Sequence, residues 1–218
     1  ATLVKEADIL SSSERGGGCQ RRNYKTVPLA SVIEQLGHPG EKAANYLHPS
    51  PLPSTADLDF YESLFPEKRD TIKPAVMDNL VQSWGESFTA YLGKAAGRLD
   101  FASFTEHLNA LTYAHTWCLP SDTQSQVPDV SLYDHLKTTA AIAACLYLYH
   151  SAFGTLEEKS ISGNKAARFK IVAGDISGIQ KYIFDIPPHD SQYVARKLRS
   201  RSLFVQLCMD ITAHRILH

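Results

Sequence analysis

The stretch KIVAGDISGIQKYIF, Lys170 to Phe184, changes period in its middle. Up to Asp175 its composition suits a strand, and from Gly178 the spacing turns helical. Gly174 and Gly178 flank Asp175 and Ser177 at this junction. Small residues there let a backbone approach a phosphate, and a carboxylate there can hold Mg²⁺ against one. A capped strand-to-helix turn is the competing reading, because the motif is neither a Walker loop nor a G-x-G-x-x-G. Gly174, Asp175, Ser177 and Gly178 are therefore candidate nucleotide-binding residues.

Downstream, DIPPHDS interrupts the helix, and YVARKLRSRSLFVQLCMDITAHRIL reads as a long amphipathic one. His189-Asp190, the one His-Asp dipeptide, follows Pro187-Pro188 and suits a loop. Between Lys165 and Arg201, eight basic residues face three acids. Such an excess suits phosphates, though a solvated basic face is the commoner arrangement. A lone strand cannot satisfy its own backbone groups, so its partners are expected beyond His218.

Upstream, the polar stretch GTLEEKSISGNKAA, 154–167, contains a linker over residues 156–166 that separates a helical region, 1–155, from the strand and helices of 167–218. In the helical region SLYDHLKTTAAIAACLYLYH starts with Ser131 and Asp134 at capping-box spacing. Its alanines 140, 141, 143 and 144 would let another helix approach closely. Val76, Leu80, Trp84, Phe88 and Leu92 recur every four residues, one face of a long helix. DFASFTEHLNALTYAHTWC continues the pattern, with Asp100 or Ser103 as its cap. Six prolines between Gly37 and Pro74 predict loops with short elements. Residues 2–15 form a helix before Gly16-Gly17-Gly18. That helix opens without a cap and the last residues remain helical, so a longer parent chain is expected.

At 218 residues with 44% apolar and 21% charged content, the sequence suits a core-forming globular protein. Its net charge of −1 gives no overall pull toward nucleic acid. Four scattered cysteines, Cys19, Cys118, Cys145 and Cys208, exclude C-x-x-C zinc or redox motifs. Cys145 and Cys208 lie in apolar helical runs, as small packing residues do. With neither a signal peptide nor a membrane-length apolar run, the expected location is the cytoplasm.

Asp8 shares a helix face with Val4, so it lies at a solvated helix edge or holds a cation. His135 shares its face with Thr138, Thr139 and Ile142, which suits a hydrogen-bonded core imidazole or a ligand. His107, His115 and His150 have no ligand-spaced partner and read as structural.

Four segments in order resemble the large, signature HD–palm subunit of type III CRISPR–Cas effector complexes, closest to the type III-A form. They are KEADILSSSER (Lys5–Arg15), VPLASVI with LFP (Leu64–Pro66), YAHTWCLPSDT followed by DVSLYDHLKTTAAIAACLYLY, and GDISGIQKYIF followed by ARKLRSRSLFVQL. The third is the most specific. The resemblance implies an α+β chain: a circularly permuted, mainly helical HD domain with a Pro-rich insertion at about 37–74, then the start of a ferredoxin-like palm. It implies metal ligation by Asp8 and His135, with Mg, Mn, Ni or Co generating a water nucleophile against single-stranded DNA. It also implies ATP with Mg or Mn at Gly174, Asp175, Ser177 and Gly178, for joining into cyclic oligoadenylates. Other effector subunits, guide RNA and target RNA are the implied partners, without a membrane. The adjacent His-Asp pair that should precede Asp8 and the catalytic Gly-Gly-Asp-Asp turn are both absent from these 218 residues. Two alternatives follow: a stand-alone HD phosphohydrolase, and a degenerate HD scaffold that docks other subunits.

Overall fold

The computed structural model describes residues 1–12, 22–37, 43–52, 65–68, 70–95, 100–162, 166–185 and 193–217. Gly16-Gly17-Gly18, Cys19, Pro39, Pro53, Leu64, His189-Asp190 and much of the Pro-rich insertion lie outside these residues. The chain divides into two compact units, Ala1–Phe169 and Lys170–His218.

The first unit is mainly helical. Its helices are α1 (Thr2–Ser11), a 3₁₀ turn (Tyr24–Thr26), α2 (Val32–Gly37), α3 (Pro74–Ala95), α4 (Phe101–Thr116), α5 (Leu132–Ala152) and α6 (Glu158–Ile161). Helix α1 packs along α5, while α3 packs on α4 and α4 on α5. The anticipated caps form. Ser131 Oγ accepts from the Asp134 N–H at 3.0 Å and donates to the Asp134 carboxylate at 2.7 Å. At α4 the cap is Asp100, which accepts from Ser103.

One small core joins Ala30, Ala43 and Tyr46 with Val127. Another joins Leu80, Cys118 and Leu119 with Met77, Trp117 and Leu132. The long α3 stripe is graded: Leu80 is buried, Val76, Trp84 and Phe88 are half-buried, and Leu92 is exposed. On α5 the buried positions are His135, Thr139, Leu146 and His150. Ala143 is half-buried, whereas Ala140, Ala141 and Ala144 face out, so only one of the four alanines lies on the packed side. Cys145 is likewise exposed rather than packed, being one residue off the Leu146 face.

Helix α1 is held by a buried ion pair. Arg168 donates through Nη2 to Glu6 Oε1 at 2.9 Å and through Nη1 to the Ile161 carbonyl at 2.8 Å. Both side chains are at least nine-tenths buried, 4% and 10% exposed.

The second unit contains α7 (Ile179–Phe184) and α8 (Val194–Leu217), which pack together. Arg201 donates to the carbonyls of Tyr182 and Asp185 at the end of α7, and its guanidinium stands 5.4 Å from the Tyr182 ring. The strand expected up to Asp175 does not form: described residues 168–176 belong to neither helix nor strand. A strand needs a ladder partner, and among the described residues the only β pairing is isolated bridges in the first unit. No described helix is long and apolar enough to cross a membrane.

Candidate functional site

The site in the first unit arises where α1 crosses the first turns of α5. Capping by Ser131 fixes where α5 starts, which puts His135 and Thr139 one turn apart on its buried face. Across from them α1 presents Asp8 and Ser11, again one turn apart. His135 Nε2 lies 2.9 Å from Asp8 Oδ1, and its Nδ1 lies 3.1 Å from Ser11 Oγ. Ser11 Oγ in turn lies 2.7 Å from Thr139 Oγ1 and 3.1 Å from the Asp8 carbonyl.

The pair is asymmetric in burial: the His135 side chain is 8% exposed and that of Asp8 58%. Both readings of these residues meet here, with a hydrogen-bonded inward imidazole and a solvated helix-edge carboxylate. Residues 127 apart in sequence thus present one imidazole nitrogen and one carboxylate side by side. Imidazole with carboxylate suits first-row transition metals. Among the described residues, no third His, Cys, Asp or Glu joins them in a metal-binding group.

Ser11, Thr138 and His135 also line a cleft of about 440 Å³ whose other walls include Asp122, Asp129 and Asp134. Two of these carboxylates already have local partners. Asp122 accepts from the Gln124 N–H at 2.8 Å, and Asp134 from Ser131. The cleft is therefore acidic and repels phosphates unless cations intervene.

The residues of the GDISG motif are not brought to any such meeting point. Asp175 Oδ1 accepts from the adjacent Ile176 N–H at 2.8 Å, and the residue is exposed. Gly178 has φ +78°, a left-handed conformation in which a side chain would be strained, and starts α7 without a side-chain cap. Gly174 has open space around its Cα. This geometry makes a tight turn with an exposed carboxylate. Close by, Gly178, Lys181, Tyr182, Asp185 and Arg201 line a shallow cleft of about 300 Å³.

The histidines read as structural each have a hydrogen-bond partner nearby in sequence, and His115 Nε2 also lies 3.3 Å from Ser83 Oγ on α3. His107 Nδ1 is 2.9 Å from the Ser103 carbonyl, His115 Nδ1 is 3.0 Å from that of Leu111, and His150 Nδ1 is 2.9 Å from Thr155 Oγ1. Sequence reasoning missed Ser11, Asp122, Asp129 and the Glu6–Arg168 pair. Ser11, one turn after Asp8, was the one with a readable signal.

Residues 168–218 match the family model described as Csm1 subunit domain B. A Methanocaldococcus jannaschii protein named CRISPR system single-strand-specific deoxyribonuclease Cas10/Csm1 (subtype III-A) is 28% identical over 241 residues. That match covers 97% of this chain and 28% of the relative. The chain is related to the Cas10/Csm1 proteins of type III-A CRISPR systems. A Cas10/Csm1 protein of the same name from Thermococcus onnurineus is 31% identical over 206 residues, covering 94% of this chain and 22% of its own. The Enterococcus italicus Cas10/Csm1 protein is 28% identical over 89% of this chain and 25% of its own. The chain thus spans about a quarter of the length of these curated relatives. A crystal structure of Csm1 from T. onnurineus aligns with a TM-score of 0.41 at 27% identity, covering 66% of this chain and 16% of that one.

Proposed function

We propose that this chain is a segment of the large subunit of a type III-A CRISPR effector. Its first unit is most of a permuted HD domain that cuts single-stranded DNA with a divalent metal. Its second unit is the start of a palm that helps bind ATP for cyclic oligoadenylate synthesis. The observation that carries the reading is the Asp8–His135 contact, 2.9 Å across α1 and α5. Relatives named as single-strand-specific deoxyribonucleases support the DNA substrate.

Asp8 and His135 fit as two donors of a larger set. A divalent ion held there (Mn, Ni, Co or Mg) would supply activation of a water nucleophile near neutral pH. Asp8 contributes a carboxylate oxygen and His135 a nitrogen held rigidly by burial. The carboxylates of Asp122, Asp129 and Asp134 keep the neighbouring cleft acidic, so a DNA backbone approaches productively only with cations bound. In the palm, Gly174 and Gly178 leave room for a phosphate, and Asp175 and Ser177 offer oxygen donors to the nucleotide or its Mg or Mn. That role is recognition, since the chain has no Gly-Gly-Asp-Asp turn. Other effector subunits and guide and target RNA are the partners of the complete protein.

The test uses the full-length protein. His135→Ala and Asp8→Asn lose Mn²⁺-dependent cutting of a single-stranded oligonucleotide and keep ATP binding. Asp175→Ala weakens ATP binding and keeps cutting. Unaltered cutting in both first-unit variants overturns the HD assignment and favours a docking scaffold. Unaltered ATP binding in Asp175→Ala overturns the palm assignment.

A further inference from the structure

We propose that Ser11, backed by Thr139, is the positioning residue for His135, a reversible hydroxyl that holds the ring in place whichever nitrogen carries the proton. The inference rests on the metal-site reading of Asp8 and His135 given above.

Ser11 Oγ has three polar neighbours: His135 Nδ1 at 3.1 Å, Thr139 Oγ1 at 2.7 Å and the Asp8 carbonyl at 3.1 Å. A hydroxyl has one proton to give and two lone pairs, so Nδ1 and the Asp8 carbonyl are alternative acceptors for that proton. Without a cation, Nε2 faces the Asp8 carboxylate at 2.9 Å. A carboxylate only accepts, so Nε2 bears the proton of the neutral ring and Nδ1 is a bare lone pair. Ser11 then donates to Nδ1 and accepts from Thr139.

If His135 and Asp8 were to hold a cation, Nε2 would have to offer its lone pair, which is the opposite tautomer. Nδ1 then carries the proton and donates to Ser11, while the Ser11 proton turns to the Asp8 carbonyl and Thr139 still donates to Ser11. Every polar atom keeps a partner in both directions. The change is one ring proton relocated and one hydroxyl rotated. An amide or a carboxylate at position 11 could not do this, since its oxygen only accepts and an amide nitrogen only donates. Metal-ligating histidines are ordinarily oriented by a partner on the other ring nitrogen, and Ser11 is that partner here. Thr139 is 8% exposed and His135 9%, and Ser11 stands half-buried between them and the cleft.

Adjacent Ser12 supplies the control. Its hydroxyl donates to the carbonyls of Asp8 and Ile9 within α1. Mn²⁺ binding to the full-length protein is measured by calorimetry, with thermal unfolding recorded for every variant. Ser11→Ala weakens Mn²⁺ binding roughly 10- to 100-fold, as loss of such partners ordinarily does. Ser11→Thr, which keeps the hydroxyl, restores it, and Ser12→Ala stays at the parent value. Thr139→Val weakens binding less than Ser11→Ala and carries the test if Ser11→Ala does not fold. His135→Ala abolishes this binding. If His135→Ala binds Mn²⁺ like the parent, the metal reading fails and the relay with it. If His135→Ala loses binding while Ser11→Ala and Thr139→Val keep it, the relay alone is overturned. Failure of Ser11→Thr to restore binding in a folded protein also overturns it.

Discussion

Residues 1–169 and 170–217 are built from the same material, amphipathic helices, but the two units use it differently. In the first, Ala7, Cys118, Leu146 and His150 are fully excluded from solvent and Glu6 is buried against Arg168. In the second, no described residue from Lys170 onward is buried, and Leu203, Phe204 and Ile211 on α8 are each more than half exposed. The same contrast separates the two candidate sites. Asp8 is bonded to a residue 127 positions away, whereas Asp175 is bonded to its immediate neighbour. Helices draw most of their stability from packing of the apolar face. A site spanning two helices exists only where that packing has occurred.

The most forceful way to break this contrast is to remove Arg168. Arg168→Ala strands the Glu6 carboxylate in a buried site, and unpairing such a charge costs about 3–5 kcal/mol. Urea unfolding of the chain should show it directly. The double variant Glu6→Leu with Arg168→Met should recover most of that loss, because an apolar replacement of the whole pair leaves no charge to desolvate. A loss below about 1 kcal/mol for Arg168→Ala would mean that water reaches Glu6. Next in size, Leu146→Ala should cost about 2–5 kcal/mol by opening a cavity at a fully buried position. Phe204→Ala in the second unit should fall within about 0.5 kcal/mol, the range for exposed sites. Equal losses at Leu146 and Phe204 would erase the distinction between the units.

The difference between the units also explains what could be read beforehand. Ser131 with Asp134, and Asp100 with Ser103, are contacts over three residues, so the start of α5 was visible in the sequence and the start of α4 narrowed to two candidates. Thr138, grouped with Thr139 and Ile142, is exposed, but the inward face of His135 was readable from the other two. The Asp8–His135 contact was not, because spacing within a helix says nothing about which helix lies opposite. Only the order of family-like motifs brought the two residues together before the structure did. Glu6 and Arg168 were invisible for a related reason: a charged residue in a helix ordinarily faces water, and nothing local marks its burial. The expected strand before Asp175 shows the converse failure. Strand-like composition at Ile171 and Val172 is a preference that needs a ladder, and residues 168–176 have none.

Thiol chemistry resolves the contrast within the first unit itself. Burial pushes the Cys118 thiol up to about 11, so it stays protonated and unreactive at neutral pH. Cys145 is exposed on α5. Iodoacetamide at pH 7.5 should therefore modify Cys145 well before Cys118, read by mass spectrometry of the digested protein. Early modification of Cys118 would mean that the Leu80–Cys118–Leu119 core opens readily.

The smallest expected effect concerns how the helices begin. Helix α4 starts from a side-chain cap, whereas α7 starts from Gly178, which offers none. The Asp100 carboxylate accepts from the Ser103 N–H at 2.8 Å and from the Ser103 hydroxyl at 2.9 Å. Those two bonds, the backbone one first, hold its carboxyl below the ordinary 3.8. A carboxyl lowered in the folded state contributes stability that is complete above the unfolded value and disappears as pH falls through the lowered one. Asn caps about as well as Asp but does not titrate. Asp100→Asn should therefore unfold at nearly the parent temperature from pH 7 to 5. Below about pH 4 the parent should lose ground to the variant as its cap protonates. A temperature difference that stays constant from pH 7 to 3 would mean that the Asp100 carboxylate does not cap α4 in solution. The start of α4 would then be no better anchored than that of α7, and the contrast between the units would rest on burial alone.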